Sequence, residues 1–357
     1  MDFIRNFSRS IGVIVIIFSF GLGWLWMEFD SFADAPLEFS GPDYRYTIES
    51  GKTLKRISRE LQQQGLISSA DKLVWLARLQ GDADHIRLGE YEFTQGTTVQ
   101  QLLNKFVAGD VKRYSLTLVE GWNIHQVMQA VNADPILQHK LRGLSHTQIM
   151  DKLGHPGQHP EGRFFPDTYQ FSRGMSDIDV LKRAYDKMEL VLKQEWPKRI
   201  EGLPYDDAYQ ALIMASIVEK ETAVPSERRT IAGVFVRRIE KHMRLQTDPT
   251  VIYGLGLSFD GNLRKKHLLD ASNLYNTYKL RGLPPTPIAL AGLEAIQAAL
   301  NPEPGEALYF VSRGDGSHHF SATLDEHNQA VVKYQLKGRI RSTTSMNADG
   351  TSKKGSR

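Results

Sequence analysis

A glutamate placed where a helix needs a core residue is the strongest chemical signal in this 357-residue sequence. Asp206 to Glu221 (DDAYQALIMASIVEKE) reads as a helix. Its first turn is acidic, as the macrodipole favours, and its surface is apolar nearly all round from Ala211 to Val218. At about 100° per residue, Ala208, Leu212 and Ala215 share one stripe, and Glu219 falls within about 40° of all three. Desolvation and the negative C-terminal end of its own helix would both raise the pKa of that carboxyl group. A carboxylic acid still protonated near neutral pH is what glycosidic-bond cleavage needs as a general acid. The pattern fits equally well a structural carboxylate paired with Arg228 or Arg229. Glu221 lies about 200° further round and is not expected to share a cleft with Glu219.

Two stretches downstream suit a sugar polymer. Met243 to Gly254 (MRLQTDPTVIYG) and Tyr275-Asn276-Thr277-Tyr278, leading to Arg281-Gly-Leu-Pro-Pro-Thr-Pro287, are rich in amides, hydroxyls and rings. Rings stack on pyranose faces and amides meet hydroxyl and acetamido groups, although plain surface loops share this composition. Ser226 is placed to cap a second helix bearing Ile231, Val234, Phe235 and Ile239. Glu161 to Tyr169 (EGRFFPDTY) reads as a loop or edge, since Gly162 and Pro166 exclude a helix. No metal or cofactor is expected. His155 and His159 are separated by Pro156 and Gly157, which removes helical ligand spacing, and His318 and His319 would point to opposite sides of a strand.

The elements that must hold these residues form a recurring pattern. Tyr46 to Leu61 has the form of a strand, a glycine turn at Gly51, a cap at Thr53 and apolar residues at helical spacing. The form returns around Gly96 and Thr98, with Gln101 completing a capping box, and again around Gly121 and Asn123. Ordinary strand-to-helix loop chemistry would also place glycines there, so spacing alone leaves duplication open. Between the first two units, Ser69 caps a helix ending at Gly81. The β-α-α-β order over residues 44–118 resembles a LysM-type module, a small fold associated with N-acetylglucosamine polymers. Near the other end, Ala307–Ser312 and His318–Ser321 flank a turn and predict a β-hairpin, followed by a helix over 324–336.

Composition limits the remaining classes. With 41% hydrophobic and 24% charged residues the chain can build a large core, and its length suggests two or three folded units. A net charge of +3 is too small to imply a nucleic-acid partner. With no cysteine, disulfides and thiolate chemistry are excluded. Ser10 to Met27 carries no charge and follows Arg5 and Arg9, while Asp30, Asp34 and Asp43 come after it. That predicts a membrane anchor over 10–28 with residues 1–9 in the cytoplasm and the body outside. A cleaved signal peptide ending at Ala33-Asp34-Ala35 is the competing reading, disfavoured by the length of the apolar run and by Pro36. Residues 29–43 read as a linker, 119–200 as a connecting α+β region, 201–336 as the catalytic domain and 337–357 as a disordered basic tail.

Several blocks together resemble a known family. Ser216-Ile-Val-Glu219-Lys-Glu-Thr222, Ser226-Glu-Arg228, Leu245-Gln-Thr-Asp-Pro-Thr250-Val-Ile-Tyr-Gly254, Tyr275-Asn-Thr-Tyr278 and Gly282-Leu-Pro-Pro285 are similar, in order, to the signature blocks of the YceG-like (MltG-type) endolytic murein transglycosylases. The likeness takes in Glu161-Gly, Phe165 to Tyr169, Gly89-Glu-Tyr91 and the anchor, and covers about residues 10–335. Arg237 departs from it, standing where the family has asparagine, and Arg163-Phe164 varies the loop before Phe165. The resemblance implies an α+β protein with a single N-terminal transmembrane helix, a LysM-like module and a separate mixed α/β catalytic domain. It implies a lyase in the periplasm, anchored in the inner membrane, that cuts peptidoglycan glycan strands internally and terminates nascent strands. The family's catalytic glutamate carries over to Glu219, which would act as general acid and then base so that the muramic C6 hydroxyl closes a 1,6-anhydro ring. Gln246, Asp248, Tyr253, Asn276 and Tyr278 are expected to contact substrate or position Glu219, with Asp248 a second carboxylate should water be the nucleophile. Peptidoglycan strands, the membrane and, by analogy, peptidoglycan synthases are the expected partners. A non-catalytic wall-binding scaffold and a water-using muramidase are the alternatives.

Overall fold

The computed structural model describes residues 16, 19–21, 23, 24, 26–49 and 51–336. Most of the segment expected to be the anchor, and the whole basic tail, lie outside the described residues. Among the described residues no helix is long and apolar enough to cross a membrane. The chain divides into two compact units, the first holding residues up to Leu116 with Asp134–Lys140 and Tyr169–Asp177, the second holding the rest. The stretch 119–200, expected to connect two domains, is shared between these units.

The first unit is built on β1 (Asp43–Ile48), α1 (Leu54–Gln63), α2 (Ala70–Gln80), β2 (Gly89–Thr94) and α3 (Val99–Ala108). β1 and β2 pair antiparallel from Asp43↔Thr94 to Ile48↔Gly89. The two-residue period of each strand turns Tyr46, Ile48, Tyr91 and Phe93 into the core, where Ile57, Leu61, Leu73, Leu102 and Phe106 meet them. The β-α-α-β order is therefore present as expected. Phe32, Ala33 and Leu37 enter the same core, and Leu37 N–H donates to the Thr97 carbonyl at 2.8 Å. The stretch 29–43 thus does more than link, because its apolar side chains find a sheet to cover.

Local signals set the three strand–turn–helix units. Gly51, Gly96 and Gly121 all take positive φ (84°, 82° and 76°), which glycine adopts without a Cβ penalty. Thr53 caps α1, Thr98 and Gln101 form the capping box of α3, and Asn123 exchanges bonds with Gln126 ahead of α4 (Ile124–Ala133). β3 (Arg113–Thr117) pairs with β4 (Thr168–Ser172), with α5 (His146–Leu153) between them in the chain.

The second unit gathers α6 (Asp177–Glu195), α7 (Ala208–Glu221), α8 (Arg228–Glu240), α9 (Asp248–Leu255), α10 (Lys265–Leu269) and α11 (Leu293–Leu300). A hairpin of β5 (Tyr309–Ser312) and β6 (His318–Ser321) follows, in antiparallel register Tyr309↔Ser321, and α12 (Leu324–Tyr334) closes it. α7 is the central element. Every residue from Ala211 to Val218 is buried, against α8 on one side and α11 on another. Ser216, the one polar residue inside that run, donates to the Ile213 carbonyl and accepts from the Ile288 amide, so its burial leaves no unmet bond.

α8 starts later than its sequence suggests. Ser226 does not cap it; a short 3-10 turn over Pro225–Glu227 precedes the helix, and no side chain caps its first turn. Pro225, with φ already near the helical value, starts the turn, and the Glu227 carboxylate is engaged elsewhere.

Candidate active site

α7 delivers two glutamates at its end, and they meet different surroundings. Glu219 accepts the Gly292 N–H at 3.1 Å, just ahead of the first turn of α11, and lies 3.9 Å from an Arg228 nitrogen. Its side chain is 8% exposed. Burial raises its pKa, the Gly292 N–H lowers it, Glu120 and Glu294 raise it and Arg228 lowers it. Arg228 is itself paired with Glu294. Glu219 and Glu294 therefore share one guanidinium at a helix N-terminus, with Glu120 a third carboxylate close to Glu219.

Glu221, the last residue of α7, opens onto a groove of about 490 Å³. Gln246, Asp248, Tyr278, Arg238, Tyr309, His318 and His327 line the same groove, and Glu219 does not. One Glu221 oxygen accepts the Thr247 hydroxyl at 2.8 Å. Burial raises the Glu221 pKa; the Thr247 bond lowers it, Asp248 raises it and His318 lowers it. The carboxyl group is thus half-buried, with its pKa raised, beside a concavity walled by polar and aromatic groups, the combination a general acid requires.

Of the residues singled out from the sequence, the groove brings together Gln246, Asp248 and Tyr278. Asp248 begins α9, and the Tyr278 hydroxyl donates to its Oδ1 at 2.7 Å. Gln246 sits in the left-handed region at φ 53°, a strain of roughly 1–2 kcal/mol for a residue with a Cβ. It is held there by its N–H to the Thr277 carbonyl and by Arg238, whose Nη1 binds the Arg244 and Leu245 carbonyls at 3.0 and 2.9 Å. The same guanidinium lies 5.1 Å from the Tyr309 ring, and Tyr309 stacks on His327 at 5.3 Å. Burial, then Arg238, lowers the His327 pKa.

Tyr253 and Asn276 lie outside the groove lining. The Tyr253 hydroxyl donates to Glu161 Oε2 at 2.9 Å and its ring packs on Tyr275 at 4.7 Å. Asn276 is fully buried, its amide donating to the carbonyls of His267, Leu268 and Asp270, so it ties a loop rather than facing solvent. Glu161, which the sequence placed in a turn, is fully buried and accepts the Ile124 N–H at the start of α4; burial pushes its pKa up to about 7. Arg237 serves the backbone, donating to the carbonyls of Ala307 and Glu303, so its departure from the family's asparagine does not touch the groove.

Sequence reasoning missed Glu221, Arg238, Tyr309, His318 and His327. Glu221 carried a usable signal, since it stands on the same helix two residues beyond Glu219. The histidines and Tyr309 carried none, being brought in by the closing hairpin and helix.

Comparisons with known proteins show the family. A model of the YceG-like family matches residues 46–333. The chain is 29% identical to an endolytic murein transglycosylase of Bacillus subtilis, over 80% of this chain and 83% of that protein. It is 24% identical to an endolytic murein transglycosylase of Streptococcus pneumoniae, spanning 93% of this chain but 65% of that longer protein. A crystal structure of a YceG-like protein from Listeria monocytogenes resembles it with a TM-score of 0.52 at 28% identity, covering 81% of this chain and 99% of that one.

Proposed function

The chain belongs to the YceG-like family, and on that premise we propose that it is an endolytic murein transglycosylase, a lyase cutting within peptidoglycan glycan strands. The observation that carries the proposal is the groove in which Glu221 faces Gln246, Asp248 and Tyr278. Protonated Glu221 gives its proton to the oxygen joining N-acetylmuramic acid to N-acetylglucosamine. The muramic C6 hydroxyl attacks C1 and closes a 1,6-anhydro ring, so the nucleophile comes from the substrate and no second enzyme carboxylate has to activate water. Gln246, Asp248 and the Tyr278 edge supply hydrogen bonds to hydroxyl and acetamido groups.

On this reading the acid is Glu221 and not Glu219. Glu219 keeps one supporting observation, its burial beside Glu120 and Glu294, which favours a retained proton. A pair of variants decides. Glycan strands incubated with the wild type should gain anhydro-muramic ends, read by mass. Glu221→Gln should lose them and Glu219→Gln should retain them; the reverse result returns the role to Glu219. New reducing ends would mark a water-using muramidase, and unchanged strands a non-catalytic wall-binding protein.

The anchor over residues 10–28, a cytoplasmic N-terminus, a periplasmic body and the termination of nascent strands belong to the same proposal, supported by the uncharged run and its flanking arginines. Protease added outside spheroplasts should remove the body and spare the N-terminus. The β-α-α-β module is the part proposed to hold glycan, and contact with peptidoglycan synthases rests on analogy.

A further inference from the structure

A glycan-cleaving groove with an acid needs somewhere for the C6 hydroxyl proton to go, and His318 offers a place beside Glu221. This inference rests on the transglycosylase reading above. His318 opens β6, with its side chain 13% exposed in the groove wall. Its orientation is set by one residue. Glu227 accepts the His318 backbone N–H on Oε1 at 2.8 Å and meets the ring Nδ1 with Oε2 at 2.7 Å. The Thr222 hydroxyl lies 3.5 Å from the same Oε2, and the edge of Phe310 closes one side of the ring at 5.4 Å. A carboxylate holding Nδ1–H leaves Nε2 as the proton-accepting nitrogen. Nε2 has no hydrogen bond among the described residues. Carboxylate, imidazole and a third group at a reacting centre is the arrangement by which a neutral histidine is made a directed base.

We propose that the reaction is shared between two groups, with Glu221 as acid and His318, oriented by Glu227, as the base that takes the C6 hydroxyl proton. The Glu221 proton passes to the bridging oxygen and the bond from C1 to that oxygen breaks. The C6 oxygen forms its bond to C1 while its proton moves to His318 Nε2. Glu221 is left as carboxylate and His318 as imidazolium. A protonated His318 favours ionised Glu221, so the charges attract while product leaves. Return of one proton from Nε2 to the carboxylate then restores both groups, and no water or other reactant is consumed.

The test uses the full chain and purified glycan strands, with anhydro-muramic ends as the readout. His318→Ala should lower kcat about 10²–10⁴-fold with little change in KM, and added imidazole should restore part of the loss. His318→Gln retains a donor toward Glu227 without a proton-accepting nitrogen and should be equally slow; it also decides the matter if the alanine variant does not fold. Glu227→Gln should lose roughly tenfold or more, as the imidazole loses its fixed tautomer. Either histidine variant turning over within about threefold of wild type, or a loss that imidazole leaves untouched in folded His318→Ala, would overturn the proposal. Wild type making no anhydro ends would sink the transglycosylase reading itself, whereas loss in Glu221→Gln with active His318 variants removes only this inference.

Discussion

Glu219 and Glu221 stand two residues apart on one helix and answer to different partners, the first to the Gly292 amide and the second to the Thr247 hydroxyl. About 200° of rotation separates them, so one carboxyl group completes the start of α11 and the other faces the groove. On the proposed reading, anchoring and chemistry are thereby divided within a single turn.

Replacing Glu219 by alanine should cost stability more than chemistry. The change leaves the Gly292 N–H without its acceptor and Arg228 with Glu294 alone, a loss on the order of 1–3 kcal/mol. Urea unfolding should show it, and an unchanged midpoint would contradict the structural role.

Gln246→Gly should separate strain from function. Glycine takes φ 53° freely, so the variant gains about 1 kcal/mol in unfolding free energy while losing the amide that faces the groove. Higher melting temperature with lower kcat/KM is the expected pairing. A variant that is less stable would show that the left-handed turn is not strained.

The pH dependence of turnover follows from the active form of Glu221 being the protonated one. Its pKa is raised, chiefly by burial and further by Asp248. Turnover should therefore fall about tenfold per pH unit above the raised value. Asp248→Asn removes a negative neighbour, favours ionisation and should move that fall to lower pH; a fall moving the other way would exclude Glu221 as the acid.

Glu161 should make the second unit less stable as pH rises. Its pKa is raised from 4.5 to about 7, so the folded chain binds the proton more tightly than the unfolded one between those values. Stability is fullest below about pH 4.5 and declines until pH passes about 7, a contribution on the order of 3 kcal/mol. Glu161→Gln should flatten that slope in melts taken from pH 5 to 8. An equal slope in both proteins would show that Glu161 does not titrate there.

Much of the framework is local and was readable as such. Ser69, Thr98 with Gln101, and Gly81 mark helix ends because each satisfies or terminates a first or last turn within four residues of itself. The hairpin from Tyr309 to Ser321 was legible for the same reason. Ser226 was not, because its fate depended on Pro225 and on the distant demand of His318 for Glu227.

The sequence by itself determined the family blocks, the buried helix carrying two glutamates, and five residues expected to meet substrate, Gln246, Asp248, Tyr253, Asn276 and Tyr278, of which the groove gathers three. Only the tertiary structure decided which glutamate meets them. A helix buried on every side has no polar face from which direction can be read, so its period ranks Glu219 as a core position without saying what lies beyond it. That answer came from Thr247, His318 and the hairpin wall, 26 or more residues away in the chain, where packing rather than periodicity sets the neighbour.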